Sequence, residues 1–413
     1  MITQYFQSQR RLCALQDNPR GSMLERFAQS MWDAGYARIT ACRYIRAAEH
    51  FVYWADKKSI PVSSWNVQIS PCFAAHLSRC TCSRFSHRNR ALLPGVRLFL
   101  GHVSGMGFKF FVHPDPVSQD PTLLTRFNAW MRQQRGTADV TLYNYSIPLR
   151  RLLKQVGDDP HKLNAQNLRE FVLEQSRHDG RAVAQRCTTA LRMFLRFMIA
   201  EGDCSVGLDA AIPAVAHWRL SSLPQYLQAD EVERVIASCD QTSAVGKRDR
   251  AILLLLARLA LRAGDIWQLC LEDINWKEAT ICVSGKSRSE TRLPLTQELG
   301  QALADYLQYG RPQSDSSAVF VRSRAPFRGF GGHSTVSVIV RRAMFRAGVK
   351  CASRGAAHVL RHSAASSMLR EGASLQDIAA ILRHRSIETT QIYAKVDIIA
   401  LRSVAQPWPE MQS

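Results

Sequence analysis

Apolar positions in the C-terminal half recur with the spacing of amphipathic helices, and one pair of short strands interrupts them. Residues 247–260 are strongly apolar from residue 251 onward, which predicts a buried helix. Residues 280–283 and 292–295 are strand-like runs on either side of a polar turn at 284–290, which predicts a hairpin. Other helices are predicted at residues 230–239, 297–309, 334–347, 358–371 and 375–382. The pattern predicts a mainly α fold with one small antiparallel sheet, an α+β class.

Two of these helices carry end signals of their own. Gly372 follows the helix predicted at 358–371 and is placed to stop it. Ser374, with Asp377 three residues later, predicts a capping box at the start of the next helix. The sequence therefore predicts a sharp break between two consecutive helices.

The N-terminal half repeats a helical pattern at an interval of about a hundred residues. Three anchors keep their order: residues 24–27 and 124–127, Tyr44 and Tyr145, and residues 97–100 and 192–195. Two tandem helical bundles explain this order, and chance similarity between two helical segments is the alternative.

Stretches rich in proline and glycine divide the chain. We expect an N-terminal helical extension at residues 1–107, a linker at 108–120 and a second helical domain at 121–204. A second linker at 205–222 then leads to a C-terminal domain at 223–406, and residues 407–413 form a tail.

The chain is strongly basic. Lys and Arg number 54 against 34 Asp and Glu, so the formal net charge is +20, and the basic residues run through the whole chain. Such an excess is typical of a protein that neutralises a polyanion, with nucleic acid as the first candidate and a membrane surface as the second. No basic amphipathic stretch is set apart for a membrane.

Targeting signals and cysteine usage bear on the compartment. The N-terminus has no apolar core of signal-peptide length. The strongest apolar run, residues 251–261, contains Arg258 and is far shorter than the ~20 residues that span a bilayer. The eleven cysteines are scattered and odd in number, which favours reduced thiols over a disulfide framework. We expect a cytoplasmic protein.

One group of cysteines and histidines has partial metal-ligand spacing: Cys72, His76, Cys80, Cys82 and His87. On a helix, Cys72, His76 and Cys80 share a face, which suits zinc. The spacing is not a paired C-x-x-C pattern, however, so buried thiols in a helical domain are the preferred interpretation. We expect no metal site.

Two basic residues of the C-terminal half are candidates for contact with an anion. Arg262 follows the aliphatic helix and cannot be buried without a partner, so it either pairs with Asp265 or faces an anionic ligand. Lys286 lies in the hairpin turn, where it is either exposed and inert or inserted into a DNA groove.

A second set of candidates lies further along the chain. His358, Arg361 and His362 share one face of a predicted helix, which is either a solvated stripe or part of a site. His384 precedes Tyr393 by nine residues, and a short helix between them could return the phenol to the imidazole. Taken alone, Tyr393 is as compatible with packing as with nucleophilic attack.

The order of these residues resembles the tyrosine recombinases of the phage integrase family. That family has an L-R-x-x-E/D box, a G-K hairpin, an H-x-x-R box, a histidine and a tyrosine nine residues later. The matching residues here are Arg262 with Asp265, Lys286, His358 with Arg361, His384 and Tyr393. Three positions depart from the pattern: Asp265 replaces a common glutamate, Arg383 a common glycine, and Ser287 a usual second glycine.

The resemblance implies a site-specific DNA recombinase that needs no metal, ATP or other cofactor. Tyr393 would attack a phosphodiester, Arg262 and Arg361 would bind its oxygens, and His358 and His384 would assist. Lys286 would protonate the leaving 5′-oxygen. The product is a 3′-phosphotyrosyl link that another strand's 5′-hydroxyl rejoins.

The resemblance also implies partners and an arrangement of domains. Residues 121–204 would be the core-binding domain that closes over double-stranded DNA. Residues 1–107 go beyond the minimal two-domain plan of the family; their internal similarity and charge, not the resemblance, suggest a repeat of that domain that extends over flanking DNA or contacts a partner protein. A homo- or hetero-tetramer would act on two DNA sites in the cytoplasm, associated with the nucleoid. Accessory proteins, sister recombinases, the target sequence and the choice among integration, excision, inversion and resolution remain open.

Two other functions stay in competition. A type IB-like topoisomerase uses similar residues but relaxes DNA as a monomer. A non-catalytic DNA-binding protein of the same fold is the alternative from another class, although such a protein should have lost some of the six matched groups.

Overall fold

The computed structural model describes residues 2–16, 18–80, 82, 85, 92–105, 120–215, 223–284, 290–350, 355–384 and 386–396. The chain divides into two compact units, of which one comprises Met1–Phe110 together with Leu220–Ser413 and the other Phe111–Arg219. Within the described residues, no helix combines the length and the apolar character that crossing a membrane requires.

The N-terminal domain is built around α4, a helix that is buried over most of its surface. In the described residues its helices are α1 (Ile2–Tyr5), α2 (Gln9–Gln16), α3 (Gly21–Asp33), α4 (Arg38–Lys57), α5 (Ser70–Ser78) and α6 (Leu93–Val103). Even the Glu49 carboxylate of α4 is buried, and Arg11 pairs with it, Nη1 to Oε1 at 3.1 Å. This pair lets a charged position lie in the interior, where an unpaired carboxylate is costly.

The second domain is a four-helix arrangement with α10 at its centre. It comprises α7 (Thr122–Arg135), α8 (Asp139–Val156), α9 (Ala165–Asp179) and α10 (Arg181–Ala200). Phe194, Leu195, Phe197 and Met198 of α10 are all buried in one apolar cluster to which the other three helices contribute. This central packing supplies the apolar burial that stabilises the domain.

The two helical domains share a ring pair at the positions that repeat in the sequence. Phe27 of α3 meets Phe99 of α6 edge to face, with centroids 5.3 Å apart and planes at 75°. Phe127 of α7 meets Phe194 of α10 in the same manner, at 5.5 Å and 81°. All four rings are fully buried. Two of the three sequence anchors thus together contribute a buried aromatic ring pair to the core of each domain.

The C-terminal domain surrounds the aliphatic helix α12. Its helices are α11 (Ala229–Ala237), α12 (Ala244–Arg258), α13 (Ala263–Gln268), α14 (Gln297–Tyr309), α15 (His333–Arg346), α16 (Ala356–Arg370) and α17 (Leu375–Ile381). Two 3₁₀ helices follow, at Ile387–Thr389 and Gln391–Val396. Every side chain from Ala251 to Leu256 is fully buried, and α12 packs against α14 and α16.

A three-stranded antiparallel sheet lies in the same domain. Its strands, in the order of the sheet, are β1 (Ile274–Asn275), β2 (Thr280–Ser284) and β3 (Glu290–Pro294). Ile281 pairs with Leu293, and Ser284 pairs with Glu290. Ile281 and Val283 are buried, so one face of β2 joins the core.

The predicted fold class is confirmed, and so are the helices and the hairpin predicted in the C-terminal half, with ends that differ by a few residues at most. Gly372 ends α16 in the left-handed region with φ +92°. Ser374 Oγ accepts a hydrogen bond from the Asp377 backbone N–H at 3.1 Å, the predicted cap of α17. The sequence did not predict β1 or α13, which are too short to show periodicity.

Several predicted segments fall on residues that lie outside the described ranges. These include Lys286 in the hairpin turn, His87, most of the linker at 108–120 and the tail at 407–413. The linker predicted at 205–222 is described as far as residue 215, and it contains a 3₁₀ helix at Leu208–Ala211.

Candidate active site

Arg262 lies between α12 and α13. It has an extended backbone and immediately precedes α13. Ala260, two residues earlier, adopts the left-handed region with φ +47° and turns the chain after α12. The Arg262 backbone N–H donates to Asp265 Oδ2 at 2.9 Å, which caps α13. Its side-chain Nη2 donates elsewhere, to the carbonyl oxygens of Leu382 at 3.1 Å and Arg383 at 2.9 Å. Asp265 therefore fixes the backbone of Arg262 and leaves its guanidinium to the site.

Arg361 is a buried arginine of α16, with only 4% of its surface exposed. Its Nη1 donates to the Ala260 carbonyl and its Nη2 to the Leu382 carbonyl. Leu382 therefore accepts hydrogen bonds from both Arg262 and Arg361, and the two guanidiniums converge on one oxygen. Neutral carbonyls hold them in place, and the two positive charges remain without full compensation.

The end of α17 explains why those carbonyls are available. His384 N–H donates to the Ala379 carbonyl at 3.0 Å and Arg383 N–H to the Ala380 carbonyl at 2.9 Å, which together form a Schellman motif. In this motif Arg383 takes the left-handed position, with φ +51°. The Leu382 and Arg383 carbonyls thus take no part in the hydrogen bonds of the helix. They accept hydrogen bonds from the side chains of Arg262 and Arg361 instead.

Arg383 is an unusual residue for that left-handed position, which favours glycine. Its Nη2 forms a buried ion pair with Asp265 Oδ2. Within the described part of the chain, its Nε and Nη1 have no hydrogen-bond partner. Arg383, which stands where the family often has glycine, is therefore stabilised by an ion pair with Asp265.

Tyr393 lies on the second 3₁₀ helix with its ring in an apolar pocket. Only 1% of its surface is exposed, and it packs in one cluster with Ala260, Ala364, Ile378 and Leu382. Burial raises the pKa of the phenol to about 12, although the nearby Arg361 opposes the rise. In this arrangement the phenol is protonated at neutral pH.

His362 is the side chain that contacts the Tyr393 hydroxyl. Its Nδ1 lies 2.8 Å from Tyr393 Oη, and the two ring centroids are 5.6 Å apart. Burial lowers the pKa of His362 to about 4, with further lowering by His358 and Arg361. The imidazole is therefore neutral at pH 7, and its Nδ1 can accept the phenolic proton.

His384 and His358 border the same centre from different elements. His384 Nδ1 lies 2.8 Å from Thr390 Oγ1, a contact that links the end of α17 to the segment carrying Tyr393. Burial lowers the pKa of His384 to about 4, and the charges of Arg361 and Arg262 lower it further. His358 is exposed on α16, and its ring lies 6.3 Å from that of His362.

The structure thus brings five of the six sequence candidates to one end of α16. Arg262, Arg361, His384 and Tyr393 are linked through the contacts of Leu382 and Thr390, and His358 lies beside them through His362. Lys286, the sixth, lies outside the described residues. His362 was recognised in the sequence as part of the stripe but was not chosen as a site residue. Its position four residues after His358 was the available signal.

Electrostatics indicate what this centre can bind. Burial lowers the pKa of Arg361 to about 10, and the charge of Arg262 adds to the effect. The pKa of Arg262 is also lowered, first by burial, with Asp265 opposing and Arg383 adding. Both guanidiniums remain charged at pH 7, so the centre attracts an anion. Planar guanidiniums match the oxygens of a phosphate.

Comparisons with known proteins agree with this geometry. The family model of the phage integrase family matches residues 225–398. The putative integrase/recombinase y4rA of Sinorhizobium fredii is 36% identical over 390 residues, which are 93% of this chain and 93% of the relative. The chain belongs to the phage integrase family of tyrosine recombinases. It is a site-specific recombinase, as the sequence resemblance predicted.

Other members of the family differ from this recombinase in length. Tyrosine recombinase XerC of Thermodesulfovibrio yellowstonii is 27% identical over 283 residues, which are 67% of this chain but 92% of the relative. About a third of this recombinase therefore has no counterpart in that XerC. The y4rA match spans most of the chain, so y4rA shares most of the length for which that XerC has no counterpart.

Solved structures of tyrosine recombinases share the fold. XerH site-specific recombinase bound to palindromic difH substrate has a TM-score of 0.56 at 17% identity, covering 85% of this chain and 97% of that one. A lambda integrase dimer bound to a COC′ core site has a TM-score of 0.51 at 19% identity, covering 64% of this chain and 94% of that one.

Proposed function

We propose that this recombinase cleaves and rejoins DNA through a covalent 3′-phosphotyrosyl link, with Tyr393 as the nucleophile and without metal or ATP. The observation that carries the proposal is the contact between the buried Tyr393 hydroxyl and His362 Nδ1, beside two converging guanidiniums. A buried structural tyrosine needs a hydrogen-bond partner for its hydroxyl, but it does not need two guanidiniums beside it. A phenol that attacks a phosphodiester needs a proton acceptor and fixed positive charge.

The cleavage step moves two protons and exchanges one phosphorus–oxygen bond for another. Tyr393 Oη attacks the phosphorus, and its proton passes to His362 Nδ1. The bond from phosphorus to the 5′-oxygen breaks, and the leaving oxygen takes a proton, which the family resemblance assigns to Lys286. A 5′-hydroxyl from another strand then attacks the phosphotyrosine and reverses the step.

The pKa values indicate when the proton moves. The pKa of Tyr393 is about 12 and that of His362 is about 4. Complete transfer before attack is therefore strongly unfavourable. The proton therefore leaves as the new oxygen–phosphorus bond forms, when the phosphate is in place. This keeps the nucleophile inactive in the absence of DNA.

Arg262 and Arg361 stabilise the negative charge that grows on the non-bridging oxygens. Backbone carbonyls hold both side chains before DNA arrives, so little reorganisation is required during the reaction. His358 and His384 border the phosphate position and orient it. Roles for His358 and His384 in proton transfer follow only from the resemblance, whereas that of His362 is supported by a direct contact.

The larger assembly follows from the relatives. One solved lambda integrase structure is a tetramer bound to a Holliday junction, and its TM-score to this chain is 0.50. We infer that this recombinase acts as a tetramer on two double-stranded DNA sites. The net charge of +20 supports phosphate contacts along a clamp formed by the helical domains.

We further propose that the N-terminal domain is a second copy of the core-binding domain at residues 121–204. The matched pairs Phe27–Phe99 and Phe127–Phe194 support this duplication. A second copy would extend the clamp to flanking DNA.

A nicked suicide duplex tests the chemistry. Because the target is unknown, the duplexes carry randomised core sequences, and any trapped DNA is sequenced. The natural protein should give a covalent complex that survives SDS, in buffer without added Mg²⁺, and Tyr393→Phe should give none. Tyr309→Phe is the matched control, because Tyr309 is an exposed tyrosine away from the site.

Two outcomes would contradict the proposal: trapping by Tyr393→Phe, or cleavage that requires Mg²⁺. Binding without trapping by the natural protein would favour the non-catalytic alternative. Trapping combined with plasmid relaxation, but without recombinant products, would favour a type IB-like topoisomerase.

A further inference from the structure

A cluster of histidines and cysteines lies in the N-terminal domain, away from the residues proposed for catalysis. It consists of His50 on α4, His76 on α5, and Cys80 and Cys82 in the segment after α5. Their four ligand atoms all lie within 4.8 Å of one another. Two nitrogens and two sulfurs from three different places along the chain thus converge on one point.

The separations fit a tetrahedral metal ion. Zinc lies about 2.3 Å from sulfur and about 2.0–2.1 Å from nitrogen, so tetrahedral angles place sulfur and nitrogen ~3.6 Å apart. Cys80 Sγ lies 3.5 Å from His50 Nε2, and Cys82 Sγ lies 3.6 Å from His76 Nε2. Both sulfur–nitrogen distances match the value expected for ligands of one zinc ion.

Neighbouring groups fix the orientation of the ligands. The His50 ring is 1% exposed, stacks on Phe85 with centroids 4.5 Å apart, and meets Phe73 edge to face at 5.3 Å. The Cys82 backbone N–H donates to Cys80 Sγ at 3.4 Å, a contact that would stabilise a thiolate. A buried imidazole held this firmly loses little freedom when it binds an ion.

We propose that His50, His76, Cys80 and Cys82 bind one structural Zn²⁺ ion. Binding releases the two thiol protons and leaves a neutral complex of two thiolates, two neutral imidazoles and the divalent cation. All four ligand positions come from the protein, as in structural rather than catalytic zinc sites. The ion would fasten the segment after α5 to both α4 and α5.

The proposed site differs from the sequence-based expectation that the chain holds no metal. Cys72 belonged to the group considered in the sequence, but it is exposed and lies outside the cluster. His87 lies outside the described residues. His50 was absent from that group because it is far away in sequence, and only the packing of α4 against the end of α5 brings it close.

The second domain makes a comparable link at the corresponding place. There Arg151 of α8 donates to Gln175 Oε1 at 2.7 Å and to Asp179 Oδ2 at 2.6 Å, both on α9. These residues follow His50, His76 and Cys80 by about a hundred positions, the interval of the repeat. Each domain therefore ties the same two helices together, one by charge and the other, we propose, by zinc.

The test measures metal in tag-free, full-length protein prepared with zinc in the medium. We expect about one zinc ion per chain in the natural protein and in Cys72→Ser, and less than about a tenth of that in Cys82→Ser. Cys72→Ser is the matched control, because Cys72 lies on the helix that carries His76. Replacing zinc by Co²⁺ should give the visible bands of tetrahedral cobalt with a sulfur-to-metal charge-transfer band.

A second control, beside Cys72→Ser, separates ligand loss from unfolding. His50→Cys keeps four ligands and should retain the metal, with a stronger charge-transfer band from the additional thiolate. Natural protein that contains no zinc and gives no cobalt bands would overturn the proposal. Equal loss of metal from Cys72→Ser and Cys82→Ser would also overturn it. Neither readout depends on DNA cleavage, so the result is independent of the function proposed for Tyr393.

Discussion

Arg262 is held in place by contacts within the protein before any ligand arrives. Its backbone is capped by Asp265, and its guanidinium donates to the carbonyls of Leu382 and Arg383. We predict that Arg262→Ala lowers the rate of covalent trapping by ~10²–10³, because one donor to the growing negative charge is lost. DNA binding, measured by gel shift, should change little.

Arg258→Ala is the matched control for that experiment. Arg258 ends α12 and pairs with Glu233 and Glu298, and none of these residues contacts the site. Equal loss of trapping in Arg258→Ala and Arg262→Ala would show that the effect comes from general destabilisation. Unfolding of Arg262→Ala would indicate that the arginine is structural.

Arg383 offers a test of competing energies at a single residue. Its left-handed backbone costs a non-glycine residue ~1–2 kcal/mol, which Arg383→Gly would recover. The same change leaves the buried Asp265 carboxylate without its partner, at a cost of ~3–5 kcal/mol. We therefore predict that Arg383→Gly lowers the free energy of unfolding by ~1–4 kcal/mol in urea denaturation.

The double variant Arg383→Gly with Asp265→Asn tests whether the unpaired Asp265 carboxylate causes the loss of stability. Removing the carboxylate charge as well should restore part of the lost stability. A single Arg383→Gly variant that is more stable than the natural protein would mean that the ion pair contributes less than the backbone conformation costs.

The catalytic candidates at the residue scale were largely readable from the sequence, but their contacts were not. The motif order identified Arg262, Arg361, His384 and Tyr393, which the fold brings together. It could not identify His362 as the neighbour of Tyr393, because that contact depends on how the last 3₁₀ helix packs against α16. The spacing of residues along one helix shows which side chains share a face. It does not show which of those side chains contacts a residue of another element.

At the scale of elements, the sequence predicted helix ends correctly where neighbouring residues determine them. The cap at Ser374 and the left-handed Gly372 are set by neighbouring residues, and both agree with the structure. The left-handed residues Ala260 and Arg383 were not anticipated, since neither is a glycine. They are maintained by tertiary contacts, and those contacts direct the carbonyls toward the arginines.

Two histidines of the candidate site, His362 and His384, should make stability depend on pH. The pKa values of His362 and His384 are lowered from 6.5 to about 4, chiefly by burial. Between these values the unfolded chain binds more protons than the folded one, so acid favours unfolding. We predict that the free energy of unfolding is highest above about pH 6.5 and falls as the pH drops toward about 4.

Urea denaturation between about pH 7.5 and about pH 5 measures this, because most carboxylates remain ionised there. His384→Asn should flatten the dependence, whereas His161→Asn, at an exposed histidine of the second domain, should not. A flat profile in the natural protein, or an unchanged slope in His384→Asn, would contradict the prediction.

The whole molecule should bind DNA mainly through phosphates. With a net charge of +20, contacts to 6–10 phosphates would reduce affinity by ~10³–10⁵ between 50 and 200 mM salt. Tyr393→Phe is suited to this measurement, because its binding is not complicated by cleavage. Affinity that changes little across this salt range would contradict a phosphate clamp.

The organisation of the whole chain was only partly accessible from the sequence. The repeat anchors indicated equivalent helical domains, and the buried pairs of Phe27 and Phe127 agree with that interpretation. The sequence singled out His76, Cys80 and Cys82 of the proposed zinc cluster but not His50, which joins them from a different helix. Long-range convergence of this kind depends on packing and leaves no fixed spacing in the chain.

The most direct measurement identifies the residue that holds the broken DNA strand. A trapped complex is digested with nuclease and trypsin, and the peptides are fragmented in a mass spectrometer. Cleavage after Arg385 and Lys395 releases residues 386–395, in which Tyr393 is the single tyrosine. We predict a nucleotide bound to Tyr393 through a phosphodiester. A nucleotide on any other residue of the trapped protein would contradict the mechanism.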